Sequence, residues 1–150
     1  TNALSEVLNA ANNAGATVEI IDLAELKLPL YNPDRTEPES TIAFIDKISQ
    51  ADAVVLATSV THDSYSALLK NALDYCDSEA FDNKPVGLLA VTERSGPALA
   101  LEHLRTVCRT LNARVPPMQV SINATWEDSE LPEESVDALR KLGKEVVSER

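Results

Sequence analysis

Residues 58–75 read TSVTHDSYSALLKNALDY, and the fold turns on how this stretch divides. The second part is helical in pattern: Leu68, Leu69, Ala72, Leu73 and Cys76 recur at spacings of three and four. We expect that helix to begin near Ser64. Just before it, DAVVLATS (52–59) is a short apolar run rich in β-branched residues, the mark of a strand buried on both faces. The residues between, from Thr58 to Ser64, are then a loop at the carboxyl end of a strand, leading into a helix.

The same unit repeats along the chain. Leu4, Val7, Leu8 and Ala11 predict a first helix stopped by Gly15, and TVEIIDL (17–23) reads as a strand. A proline-bearing loop spans 24 to 40. Ile42, Phe44, Ile45 and Ile48 predict the next helix, capped from Ser40 or Thr41. PVGLLAVT (85–92) is a strand and Leu101, Leu104, Val107, Cys108 and Leu111 a helix. MQVSI (118–122) is a strand after the break at Pro116 and Pro117. Val136, Leu139, Leu142, Val146 and Val147 close the chain as a helix. Apolar strands alternating with helices predict an α/β fold, a doubly wound parallel sheet with helices on both faces.

In the strand order 2-1-3-4-5 the first strand is central. This sequence opens inside a helix, so its four strands take the second to fifth places. An empty central place would strand two rows of buried backbone groups. We therefore expect one domain over residues 1–150 that is N-terminally incomplete, or else another segment in the central place.

With 150 residues and 44% hydrophobic content the chain can bury a sizeable core. Twenty-four acids against 13 bases give a net charge of -11, which opposes binding to nucleic acid. No apolar run is long enough to span a membrane. The acids are scattered and only six of the bases are lysine, a pattern that suggests a protein adapted to high salt. Cys76 and Cys108 form neither a metal motif nor a disulfide framework, and buried thiols suit a cytoplasmic, reducing compartment. THDS places His62, Asp63 and Ser64 side by side, but a nucleophilic triad is assembled in space and not by adjacency. Two isolated histidines make no metal site, and we read His103 as structural. Trp126 is expected to pack over an end of the sheet.

Residues 17–31, TVEIIDLAELKLPLY, resemble the NADPH-dependent FMN reductase family of flavodoxin-like proteins, whose second strand ends in I-D-L and continues through L-P-L-Y. ADAVVLATSVTHDSYSALLKNALDY resembles that family's third strand, first flavin loop and L-K-N-A-x-D helix. NKPVGLLAVTERSGPALALEHLRTVCRTLNARVPP resembles its fourth strand, second flavin loop and fourth helix. The resemblance runs to about residue 125. It implies an FMN-dependent NAD(P)H oxidoreductase of FMN, quinone or azo-reductase type, passing hydride from a nicotinamide through the flavin to a small-molecule acceptor. It implies FMN contacts from Thr58, Ser59, Val60, Thr61, His62 and Ser64 in the first loop, and from Thr92, Glu93, Arg94 and Ser95 in the second. No catalytic acid–base pair is required, because the chemistry belongs to the cofactor.

This sequence departs from the family at several points. Ser59 replaces a proline, Thr61 a tyrosine, and Asp63 and Ala67 common glycines. Glu93 and Arg94 stand where the second loop favours glycines. The family's G-S-x-R-x-x-S phosphate loop has no counterpart in these residues. The alternative function is thus a degenerate flavodoxin-like protein that binds flavin weakly or not at all and serves as an interaction subunit. Ala67, Leu68, Leu69, Ala72, Leu73, Tyr75 and Cys76 make a helix stripe wider than one buried face needs, and predict a homodimer or dimer-based tetramer.

Overall fold

A computed structural model describes residues 2–36, 38–93, 98–124 and 130–150. In chain order the elements are α1 (Asn2–Asn13), α2 (Leu23–Leu26), α3 (Glu39–Gln50), β1 (Val54–Thr61), β2 (Ser64–Tyr65) and α4 (Ala67–Asp74). There follow α5 (Ser78–Phe81), β3 (Val86–Thr92), α6 (Ala98–Thr110), β4 (Val120–Asn123) and α7 (Glu133–Ser148). Trp126 and the second-loop residues Arg94 and Ser95 lie outside the described residues.

The sheet order is β2-β1-β3-β4. β1 and β3 run parallel in register from Val54↔Val86 to Ser59↔Val91, and β3 and β4 from Leu89↔Val120 to Thr92↔Asn123. Because successive side chains point to opposite faces, the apolar runs sort into two layers. Leu56, Leu88 and Ala90 meet Phe44, Ile48, Leu69, Leu73, Leu101 and Leu104 from α3, α4 and α6. Leu89, Val120 and Ile122 meet Val7, Leu139, Leu142 and Val146 from α1 and α7. This is the flavodoxin-like, doubly wound arrangement expected from the sequence, with both faces of the sheet covered.

The strand expected at 17–23 does not form: residues 17–22 carry no strand pairing, and Leu23 opens α2. Val18 and Ile20 remain 38% and 58% exposed. A strand is stabilised by its ladder partner, and in the order 2-1-3-4-5 the second strand pairs only with the first. Among the described residues none supplies that partner, and on its edge away from β3, β1 pairs through Val60 and Thr61 alone, with β2.

Several helix boundaries also differ, each for a local reason. Asp22 accepts from the N–H groups of Ala24 (2.8 Å) and Glu25 (3.4 Å), so an N-cap starts α2 inside the expected loop. Helix α3 starts at Glu39 after Pro38, with no side-chain cap from Ser40 or Thr41. Asp77 caps the unexpected α5 in the same way as Asp22 caps α2. At the end of α1, Gly15 takes φ 89°, and Ala16 N–H donates to Ala11 O (3.1 Å) while Gly15 N–H donates to Asn12 O (2.9 Å). That is a Schellman cap. Asn112, at φ 59°, does the same for α6 through Ala113 N–H to Cys108 O (3.0 Å) and its own N–H to Arg109 O (3.1 Å).

Two cations tie down backbone carbonyls at the ends of helices and strands. The Lys84 ammonium donates to the carbonyls of Ile48, Ser49 and Ala80, using its three protons at the ends of α3 and α5. Desolvation by burial pulls its pKa below the ordinary lysine value, partly offset by Asp52. The Arg105 guanidinium donates to the carbonyls of Val115 (3.2 Å) and Pro116 (3.0 Å) and to Gln119 Oε1 (2.8 Å). There the chain leaves the sheet between the Pro85↔Arg114 bridge and β4, because proline has no N–H to give the ladder.

Helices α1 and α7 cross at Gly143, where an added Cβ would sit 2.3 Å from the carbonyl oxygen of Val7. On an open helix face Gly→Ala gains about 1 kcal/mol of helix propensity. Here the clash with rigid backbone outweighs it. Gly143→Ala is expected to cost about 2 kcal/mol net, read as a lowered urea midpoint with unchanged slope.

Candidate flavin site

Ligands of parallel sheets lie beyond the carboxyl ends of the strands, and β1 and β3 are neighbours there. The register Ser59↔Val91 sets Val60 beside Thr92, so the two expected loops leave the sheet side by side. Thr58 to Val60 and Thr92 to Glu93 are thereby brought to one edge. Arg94 and Ser95 continue the second loop outside the described residues.

The first loop is not a plain connection into a helix at Ser64. β1 runs on to Thr61, then folds back, pairing Val60↔Tyr65 and Thr61↔Ser64. His62 and Asp63 form the two-residue turn, at φ 50° and 58°. A tight hairpin of this length demands positive φ at both turn residues, which suits strand twist but disfavours any residue with a Cβ. Helix α4 therefore starts only at Ala67, after Ser66, whose hydroxyl accepts from Leu69 N–H (3.2 Å). Periodicity could not reveal the hairpin, because a two-residue strand has no period.

The hydroxyls of Thr58, Ser64 and Ser66 are committed to the protein itself. Thr58, 5% exposed, donates to Ser59 O (2.8 Å) and accepts from Ser66 N–H (2.9 Å). Ser64 Oγ lies 3.2 Å from His103 Nδ1. Thr92 is buried and its carbonyl accepts from Ala124 N–H (2.9 Å), which fixes the end of β3 to β4. Val60 packs against the core, while Ser59, Thr61, His62, Asp63 and Glu93 are exposed. At the turn, neither the His62 nor the Asp63 backbone N–H is bonded to another described residue. What the loop offers outward is main-chain N–H and exposed polar side chains, which fits the polar edge of a planar flavin ring. The sequence holds no glycine-rich phosphate cradle, so phosphate contacts are not assigned to these residues.

A second cluster was only half legible. Asn71 Oδ1 accepts from Tyr31 N–H (2.8 Å), and its Nδ2 donates to Pro29 O (2.9 Å). Tyr75 OH donates to the same carbonyl (3.1 Å), and the Tyr31 and Tyr75 rings meet edge to face at 5.1 Å. The two family-like motifs, L-P-L-Y and L-K-N-A-L-D-Y, are thus one unit, a helix side chain clamping a loop. Lys70 pairs with Asp74 on the outer side of α4. Of the wide apolar stripe expected on this helix, Leu69, Ala72, Leu73, Tyr75 and Cys76 are buried within the fold, leaving Ala67 and Leu68 on the outer side. A groove of about 370 Å³ lies between α3 and the end of α4, bordered by Ile42, Asp46, Asp74, Tyr75 and Asp77.

Among the described residues no cluster of three or more His, Cys, Asp or Glu could hold a metal, and no helix is long and apolar enough to cross a membrane. Both cysteines are buried thiols, and burial pushes that of Cys108 up to about 12, which makes it inert.

Neighbouring parallel strands that end together at one carboxyl edge define a ligand-binding α/β protein of the doubly wound class. Residues 1–127 match the family described as NADPH-dependent FMN reductase, and the chain belongs to it. It is 35% identical over 132 residues to an NADPH azoreductase of Bacillus sp. (strain OY1-2), covering 85% of this chain and 74% of that protein. It is 34% identical over 128 residues to an FMN-dependent NADPH-azoreductase of Staphylococcus haemolyticus (strain JCSC1435), covering 81% and 68%. An oxidoreductase from Corynebacterium diphtheriae superposes with a TM-score of 0.79 at 26% identity, over 99% of this chain and 85% of the other. The function is accordingly that of an FMN-dependent NAD(P)H oxidoreductase, with FMN as cofactor and a nicotinamide nucleotide as co-substrate.

The turn supplies a test of the loop geometry. Asp63→Val places a β-branched residue at φ 58° and should cost about 1–2 kcal/mol in thermal or urea unfolding, whereas Asp63→Gly should cost nothing.

Proposed function

We propose that the chain is an azoreductase- or quinone-reductase-type enzyme whose flavin ring edge lies against residues 58–64 and is approached by residues 92–95. The observation that carries this reading is the pairing of β1 with β3, which sets the two loops side by side within a chain of this family. Held there, FMN would supply the hydride-transfer chemistry between nicotinamide and acceptor. The protein's part is to position the ring. Buried Thr58 and Thr92 anchor the bases of the loops, and the N–H groups of the His62–Asp63 turn face the ring's polar edge. Ser59, Thr61, His62 and Glu93 border it. Ser64 acts on the loop and not on the ring.

Thr61 offers no aromatic face to the ring. Thr61→Tyr is expected to tighten FMN binding about fivefold, the equivalent of about 1 kcal/mol for a stacked pair. Quenching of flavin fluorescence on titration measures it, and bleaching of the bound flavin by NADPH, followed by recovery with an azo dye or quinone, measures the reaction. Parent and variant both failing to quench FMN would select the other reading, a flavodoxin-like interaction subunit.

We further propose a homodimer, in the cytoplasm of a cell with high internal salt. Leu30, Ile42 and Leu68 are 84%, 49% and 54% exposed, an apolar surface on the α3–α4 side that suits a second copy. A net charge of -11 repels itself over a Debye length that grows from about 10 Å at 0.1 M to about 30 Å at 0.01 M salt. Light scattering should give twice the chain mass in molar KCl, and the melting temperature should rise with KCl. A monomer there, or a flat salt response, contradicts the respective proposal.

A further inference from the structure

The hairpin at residues 60–65 needs support from outside itself. Both its turn residues, His62 and Asp63, lie in the left-handed region, and such backbone persists only where surrounding contacts hold it. Its base is held by two ladder pairs and by the Ser66 N–H bond to Thr58. Among the described residues, one side-chain hydrogen bond reaches from it to another helix: Ser64 Oγ to His103 Nδ1, at 3.2 Å.

His103 is well placed to serve as an anchor. It stands on α6, the helix that follows the second loop. On its inner side α6 is fixed by Ala100, Leu101 and Leu104, all at most 1% exposed. Along the helix from His103, Arg105 binds Gln119 and the carbonyls of residues 115 and 116, and Gln119 in turn donates to Glu102 (2.9 Å). The helix therefore cannot readily roll, and the imidazole is presented to Ser64 from a rigid support. With its proton on Nε2, the ring accepts at Nδ1 from the Ser64 hydroxyl. As imidazolium it donates to the same oxygen. The bond survives either protonation state, which suits a fixed support and not a pH switch.

We propose that His103 is a positioning residue for the flavin loop. Through Ser64 it holds the 60–65 hairpin in the shape that meets the ring edge, and so couples the first loop to the helix behind the second. What the hairpin receives rests on the flavin reading above; that His103 braces it does not.

Amide hydrogen exchange in the flavin-free protein reads the brace, and FMN fluorescence quenching reads its consequence. His103→Leu and Ser64→Ala should each speed exchange at Ser66, whose N–H is bonded to Thr58 Oγ1, about fivefold, the effect of one lost hydrogen bond. The double substitution should do no more than either single one, because both remove the same bond. His103→Asn places an amide where Nδ1 stands and should restore protection, while His103→Gln, with its amide farther out, should not. FMN affinity should follow the same pattern across the five variants. Ser64→Ala leaves α6 intact and decides the matter should His103→Leu fail to fold. Unchanged exchange in Ser64→Ala, or additive effects in the double variant, overturns the brace. Exchange that responds while FMN binds to no form overturns the flavin reading and the positioning role with it.

Discussion

The parallel ladder between β1 and β3 is the constraint on which the site depends. Its register, from Val54↔Val86 to Ser59↔Val91, fixes where each strand stops and so where each loop begins. A slip of one residue would turn every side chain of β1 to the opposite face. Leu56 would then face the α1–α7 layer, and Thr58 would lose its place beneath the hairpin. The buried apolar pattern on both faces is what forbids that slip, so core packing and loop placement are one problem.

Around that ladder the structure repeatedly uses one polar side chain to bind several backbone groups. Lys84 closes the ends of two helices, and Arg105 closes a gap in the sheet edge made by Pro116 and Pro117. Asn71 holds both an N–H and a carbonyl of the 29–31 loop. Each is a long or forked side chain with several donors or acceptors, which is what such a task requires.

Much of this was legible in the sequence. The strands at β1, β3 and β4 and the four long helices followed from apolar periodicity, and the family from the I-D-L, L-P-L-Y and L-K-N-A motifs. What escaped was tertiary or too short to have a period. TVEIID has every local mark of a strand, but a strand exists only with a partner. The 64–65 strand is two residues long, and its turn uses His and Asp where Asn or Gly would have announced it. The cap at Asp22 was present in the text as D-L-A-E, an N-cap with Glu three places on, but the prolines that follow drew attention to a loop. His103 reads as structural, but its partner is invisible in the sequence because the serine it meets lies 39 residues away.

In the first loop, Thr58, Ser64 and Ser66 spend their hydroxyls on the protein's own backbone and on His103. The shape of the loop is therefore set from beneath and by its turn, and the outward-facing side chains of Ser59 and Thr61 bear little of that load. Such a loop separates form from recognition: its outer side chains can be exchanged to suit a different ring or acceptor without rebuilding the scaffold that presents them.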